Sequence, residues 1–234
     1  MVARMTQKDK SNKIIIALDY DNKESVLELC NQLDPTYCRL KVGKQLFTKY
    51  GPHIIDLIHH KNFEIFLDLK FHDIPITVYK ACIEAYKLGI WMVNIHLLGG
   101  EDMINAAREA KDKENSSTLL IGVSLLTSHD NKSLVNLGFK DRETTVLQLA
   151  MTAKNCSIDG IVCSPSDIIS IKDAVSDLIF VTPGIRLSDA KDDHADVYTP
   201  EKALSIGSDY LVIGRPITEA KDPMEVVSKI ITSI

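Results

Sequence analysis

The chain has 234 residues, of which 45% are apolar and 25% charged, and it carries a formal net charge of −5. That length is enough to bury one barrel-sized core, and the composition is that of an ordinary globular protein. The negative balance excludes a general attraction to nucleic acid or an anionic membrane, while leaving room for a local basic pocket that takes a small anion.

Residues 1–12 read as a polar, lysine-bearing tail. No apolar run follows it, so it is not a signal peptide. No stretch anywhere approaches the ~20 apolar residues of a membrane span. The first predicted strand, Lys13–Asp19, ends in a carboxylate, and the second, Cys38–Val42, ends around Lys41. Leu46, Tyr50, Ile54, Leu57 and Ile58 follow as one helical stripe. The third strand, Glu64–Lys70, delivers Asp68 and Lys70, with Asp73 close behind on the connecting loop. Pro75 suits the first turn of the next helix, whose apolar stripe is Val78, Cys82, Ala85 and Tyr86.

The fourth and fifth strands are Trp91–His96 and Thr118–Leu125, and an irregular stretch runs from Thr127 to Arg142. Gly160–Cys163 and Ile179–Thr182 are the sixth and seventh strands. A second irregular stretch, Leu187–Tyr198, reads as a lid or a solvated loop. The eighth strand, Tyr210–Ile213, precedes a last stripe of Val226, Val227, Ile230 and Ile231. Gly89, Gly160 and Gly207 fall where helices stop or the chain turns toward a strand. Eight strand–helix units without a change of composition predict an α/β fold, a single (β/α)8 TIM barrel over residues 13–234. An open doubly wound sheet is the alternative, weakened because no Gly-x-Gly-x-x-Gly or Walker-type loop follows the first strand.

The five cysteines, Cys30, Cys38, Cys82, Cys156 and Cys163, are scattered and odd in number. They read as buried thiols of a cytoplasmic protein rather than metal ligands or disulfides.

The candidate chemistry lies at the strand ends. In a strand, Asp68 and Lys70 share a face, and that face is normally core. Charges placed there either pair in a network that closes the barrel or do chemistry. Two carboxylates around Lys70 keep it an ammonium, able to give a proton to a carbon or oxygen that becomes anionic. Lys41 completes an alternating array of fixed charges, and Asp19 stands on a neighbouring strand end. His72 reads as loop packing; His96 lines either the site or the barrel rim. Pro183-Gly184-Ile185-Arg186 and Gly214-Arg215-Pro216 end the last two strands, the usual phosphate position of a barrel. Two turns with surface arginines are the plainer reading.

Taken together, Ala17-Leu18-Asp19, Leu40-Lys41-Val42-Gly43, the run Phe66-Leu67-Asp68-Leu69-Lys70-Phe71-His72-Asp73-Ile74-Pro75, Val93-Asn94-Ile95-His96, Val181 to Arg186 and Ile213 to Pro216 resemble the orotidine 5′-phosphate decarboxylase family. The resemblance spans about Lys13 to Ile231, and the Phe66–Pro75 run is its most specific segment. It implies conversion of orotidine 5′-monophosphate to uridine 5′-monophosphate and CO2 by a homodimer, without a metal or other cofactor. Carried over by position, Lys70 is the proton donor to C6 and Asp68 the carboxylate beside the substrate carboxylate. Lys41 and Asp19 are ribose and network residues. Asp73 comes from the partner subunit, with Thr77 beside it, and Thr127 contacts the pyrimidine. Gly214, Arg215 and Arg186 hold the phosphate. Two positions depart from the family pattern: Ile76 stands where Asn is common, and His194 is the best match for a lid Gln.

Two other readings stay open. A related barrel acts on sugar phosphates with a metal ion and shares the Asp-x-Lys-x-x-Asp pattern, but carries Glu where this chain has Lys41, a poor metal neighbour. A non-catalytic nucleotide-binding barrel would be free to lose its proton donor, yet the charged set is complete.

Overall fold

The computed structural model describes residues 13–187 and 198–234. Eight parallel strands close a barrel in chain order: β1 Ile14–Ala17, β2 Arg39–Gly43, β3 Ile65–Phe71, β4 Met92–His96, β5 Leu119–Val123, β6 Gly160–Val162, β7 Ile179–Thr182 and β8 Tyr210–Ile213. Closure joins Ile14, Ile15 and Ile16 of β1 to Leu211, Val212 and Ile213 of β8. The open-sheet alternative is thereby set aside.

Helices alternate with the strands: α1 Lys23–Gln32, α2 Lys44–Tyr50, α3 His53–His59, α4 Pro75–Lys87, α5 Glu101–Lys113, α6 Asn131–Asn136, α7 Arg142–Asn155, α8 Pro165–Ile171, α9 Pro200–Ile206, α10 Arg215–Thr218 and α11 Pro223–Ser233. Side chains that alternate along each strand divide two cores. Ile14, Ile16, Ile65 and Leu67 pack outward against the helices, while Ile15, Ala17, Phe66, Met92, Ile121, Val181 and Val212 fill the barrel. The α4 stripe of Val78, Cys82, Ala85 and Tyr86 is buried as its spacing predicts.

The interior is closed at the N-terminal end of the strands. Arg39 lies 4.0 Å from the Trp91 ring centroid and 5.5 Å from that of Tyr210, and its Nε donates to Glu64 at 2.7 Å. Trp91 and Tyr210 meet edge-on. The guanidinium, two rings and carboxylate plug that mouth with a charge stacked on aromatic faces and paired to a carboxylate.

Three local expectations are corrected. The stripe Leu46–Ile58 is not one helix. Gly51, at φ 60°, ends α2 in the left-handed region, and Pro52 caps α3. The stretch Thr127–Arg142 contains a short helix, α6, capped by Asp130. Of the C-terminal stripe, Val227, Ile230 and Ile231 are buried and Val226 only half-buried.

Candidate active site

The charged residues rise from the C-terminal ends of the first three strands, on the face where barrel loops converge. Inward positions on β2 carry Arg39 at the bottom and Lys41 at the top. Those on β3 carry Phe66 and then Asp68. Lys41 Nζ lies 3.1 Å from Asp68 Oδ2 and 3.7 Å from Asp19 Oδ1. Lys70 Nζ donates to Asp68 Oδ1 at 2.5 Å. The Lys41 and Asp68 side chains are about nine-tenths buried, Lys70 about three-quarters. Asp19 is largely exposed.

Asp68 and Lys70 therefore meet, but not through simple strand alternation. Lys70 has φ 51°, and the β3–β4 register shifts between Leu67 and Phe71. Asn94, at the inner face of β4, holds this irregularity. Its Oδ1 accepts from Lys70 N at 2.7 Å and its Nδ2 donates to Asp68 Oδ1 at 2.7 Å. The amide is buried, and both of its ends are used. Asn94 stands outside the set of residues expected to form the site. The signal for it was a lone amide between Val93 and Ile95, on an inner strand face where a polar group must find partners.

Electrostatics favour an ionised Asp68. Burial pushes its pKa up, but Lys41, Lys70 and the hydrogen bonds from Lys70 and Asn94 outweigh burial and leave the carboxyl below its ordinary value. His96 is stacked on His72 with ring centroids 5.3 Å apart. Burial first, then His72, Lys70, Lys44 and His129, push His96 down to about 4, so the ring is neutral near pH 7. His96 Nδ1 accepts from Leu98 N.

Lys41, Asp68, Lys70 and Asn94 line a cavity of about 180 Å³, together with Thr127, Pro183 and an apolar wall that includes Phe66 and Val212. Thr127 and Pro183 are shared with a wider polar cavity beyond the β5 and β6 loops. Gly214, at the end of β8, approaches Asp19: a Cβ placed there would stand 3.8 Å from Asp19 Oδ2. Arg215 follows it, exposed, at the start of α10. Arg186 is exposed beyond β7, its backbone N–H donating to Tyr198 O at 3.1 Å. Asp73 and Thr77 are exposed around the start of α4, and Asp73 Oδ1 accepts from Ile74 N at 2.6 Å. The cavity thus gathers Lys41, Asp68, Lys70 and Thr127 but not Asp19, Asp73, Thr77, Arg186, Gly214 or Arg215. His194 lies outside the described residues. Among the described residues, no three His, Cys, Asp or Glu side chains converge to hold a metal ion.

A closed parallel barrel with two lysines and two carboxylates at its strand ends, beside an apolar-walled cavity, has the architecture of a barrel enzyme whose site opens at the C-terminal ends of the strands. The orotidine 5′-phosphate decarboxylase / HUMPS family matches residues 12–230. The chain belongs to that family. It is 50% identical over 221 residues to the orotidine 5′-phosphate decarboxylase of Saccharophagus degradans, covering 93% of each chain. It is 46% identical to that of Legionella pneumophila strain Lens, covering 95% of this chain and 99% of the relative. The crystal structure of orotidine 5′-phosphate decarboxylase from Lactobacillus acidophilus superimposes with a TM-score of 0.85 at 36% identity, over 95% of this chain and 98% of that one.

Proposed function

We propose that this protein is a carboxy-lyase that converts orotidine 5′-monophosphate to uridine 5′-monophosphate and CO2 in de novo pyrimidine synthesis, without a cofactor. The observation that carries the reading is the Lys41–Asp68–Lys70 array, with Asp68 held ionised between two ammonium groups. Loss of CO2 breaks the bond from C6 to the carboxylate carbon and leaves the electron pair on C6. Lys70 Nζ–H stabilises that pair by its charge and then forms the new C6–H bond, and the amine regains its proton from solvent. Asp68 beside the leaving carboxylate disfavours the ground state, and Lys41 with Asp19 engages the ribose hydroxyls. Gly214, Arg215 and Arg186 hold the phosphate, which is remote from C6. Its binding energy orders the site rather than touching the bond that breaks. His194 takes the place of the family's lid glutamine.

The working unit in this proposal is a homodimer in which Asp73 and Thr77 serve the partner's site. In support, Asp73 is exposed and its carboxylate turns to its own loop, accepting from Ile74 N. Ile74 and Ile76 beside it are 62% and 54% exposed, an apolar patch that a second subunit would cover. The five cysteines are free and buried, which supports a reducing cytoplasm. Among the described residues no helix is long and apolar enough to cross a membrane.

The test is an ultraviolet absorbance assay on orotidine 5′-monophosphate with a chelator present and no cofactor added. Rapid conversion to uridine 5′-monophosphate is expected. No conversion by folded protein would overturn the reading, and conversion that stops with the chelator would return the metal-dependent barrel.

A further inference from the structure

Arg142, the first residue of α7, uses its guanidinium in three directions. Nε and Nη2 donate to the two carboxylate oxygens of Asp167, each at 2.8 Å. Asp167 is buried and already belongs to the capping box of α8: its Oδ2 accepts from Ser164 N while its own N–H donates to Ser164 Oγ. That leaves Nη1, which reaches the carbonyl oxygens of Leu126 and His129, 3.4 Å from each. These two carbonyls bracket Thr127 and Ser128. The same turn is closed by His129 N donating to Leu126 O at 3.1 Å. One guanidinium therefore ties the loop after β5 to the loop after β6, and clamps both ends of the turn that carries Thr127 to the cavity.

A lysine here would keep a cation beside Asp167 but lose the two-pronged pairing with its carboxylate. The clamp on the turn asks for a planar fork with donors left over. The turn has little else to hold it, because Leu126, Thr127 and Ser128 are exposed. We propose that Arg142 is a positioning residue: it holds the Leu126–His129 turn so that Thr127 meets the pyrimidine ring of the substrate. The inference rests on the decarboxylase reading, because it needs a ring at that end of the cavity.

The experiment compares wild type with Arg142→Lys, which keeps a cation for Asp167. It reads kcat, KM and the dissociation constants of uridine 5′-monophosphate and ribose 5-phosphate. Expected for Arg142→Lys are a folded protein with a melting temperature lowered by about 2–8 °C, for the lost prong on Asp167, and a KM raised by about 10-fold, the order of one lost hydrogen bond to the ring. Affinity for uridine 5′-monophosphate falls in step, while affinity for ribose 5-phosphate, which has no ring for Thr127 to contact, stays within about twofold. A lysine variant with unchanged KM and nucleotide affinity overturns the proposal. So does an equal loss of both ligands, which would mean general loosening of the site. If Arg142→Lys does not fold, Arg142→Gln is read in the same way. Thr127→Ala supplies the second check: a residue acting through Thr127 adds nothing to that variant, so additive losses in the double variant overturn the positioning role. A wild-type chain that neither turns over orotidine 5′-monophosphate nor binds uridine 5′-monophosphate overturns the decarboxylase reading and this inference together. Wild-type turnover with an indifferent lysine variant overturns this inference alone.

Discussion

Lys70 occupies the left-handed backbone region at φ 51°, a conformation that costs a non-glycine residue about 1–3 kcal/mol and persists where its surroundings fix it. Here the fixing group is Asn94, which caps the Lys70 N–H and braces Asp68 with the same amide. Lys70→Ala is expected to keep nucleotide affinity and lower kcat by about 10⁴-fold or more, the joint loss of a proton donor and a fixed charge. A stopped assay with a separate binding titration checks it, and unchanged turnover would sink the mechanism. Asn94→Ala removes a hydrogen bond to a buried carboxylate and strands a backbone donor. It is expected to cost about 2–3 kcal/mol in urea unfolding and to lower kcat as Lys70 loses its aim. His96 gives a pH signature. Its folded pKa, about 4, lies below the ordinary histidine value of 6.5. The unfolded chain therefore binds more protons between those values, and stability falls as pH drops from 6.5 toward 4. The melting temperature should decline over that window, and His96→Gln should flatten the decline. An equally steep decline in the variant would assign the effect to other groups.

At the scale of elements, β6 depends on having no side chain at Gly160. A Cβ there would stand 2.3 Å from the Ile179 carbonyl on β7, so Gly160→Ala must push β6 and β7 apart within a closed ring. Overpacking of this kind costs about 1–3 kcal/mol, or about 2–4 °C of melting temperature per kcal/mol in a chain this size, which calorimetry reads directly. The strands were legible in the sequence because each is a short apolar run between turn signals. The predicted bounds fall within one or two residues of those observed, as at Ile179–Thr182 and Tyr210–Ile213. The helix pattern misled at Gly51–Pro52, where the apolar spacing continues across a backbone break that the stripe does not register. The charged array was legible because carboxylates and lysines at strand ends have few structural uses. Its support was not: the Lys70 conformation and the Asn94 brace follow from a register shift, which depends on how β3 and β4 pair and not on either strand's own sequence.

For the whole molecule, the proposed homodimer makes a sharp prediction. Asp73→Ala and Lys70→Ala should each be inactive, and mixing them under conditions that exchange subunits should restore activity. One site of the mixed dimer then holds Lys70 from one chain and Asp73 from the other, both intact. No recovery in a mixture shown to contain mixed dimers would place Asp73 in its own chain's site. The plug of Arg39, Trp91, Tyr210 and Glu64 has a further consequence for traffic. With that mouth shut and Phe66, Met92 and Val212 packed above it, the barrel is a blind well. In the proposed reaction, substrate and both products share one opening, so a nucleotide still seated there obstructs the next arrival, and the CO2 must slip out beside it or wait its turn.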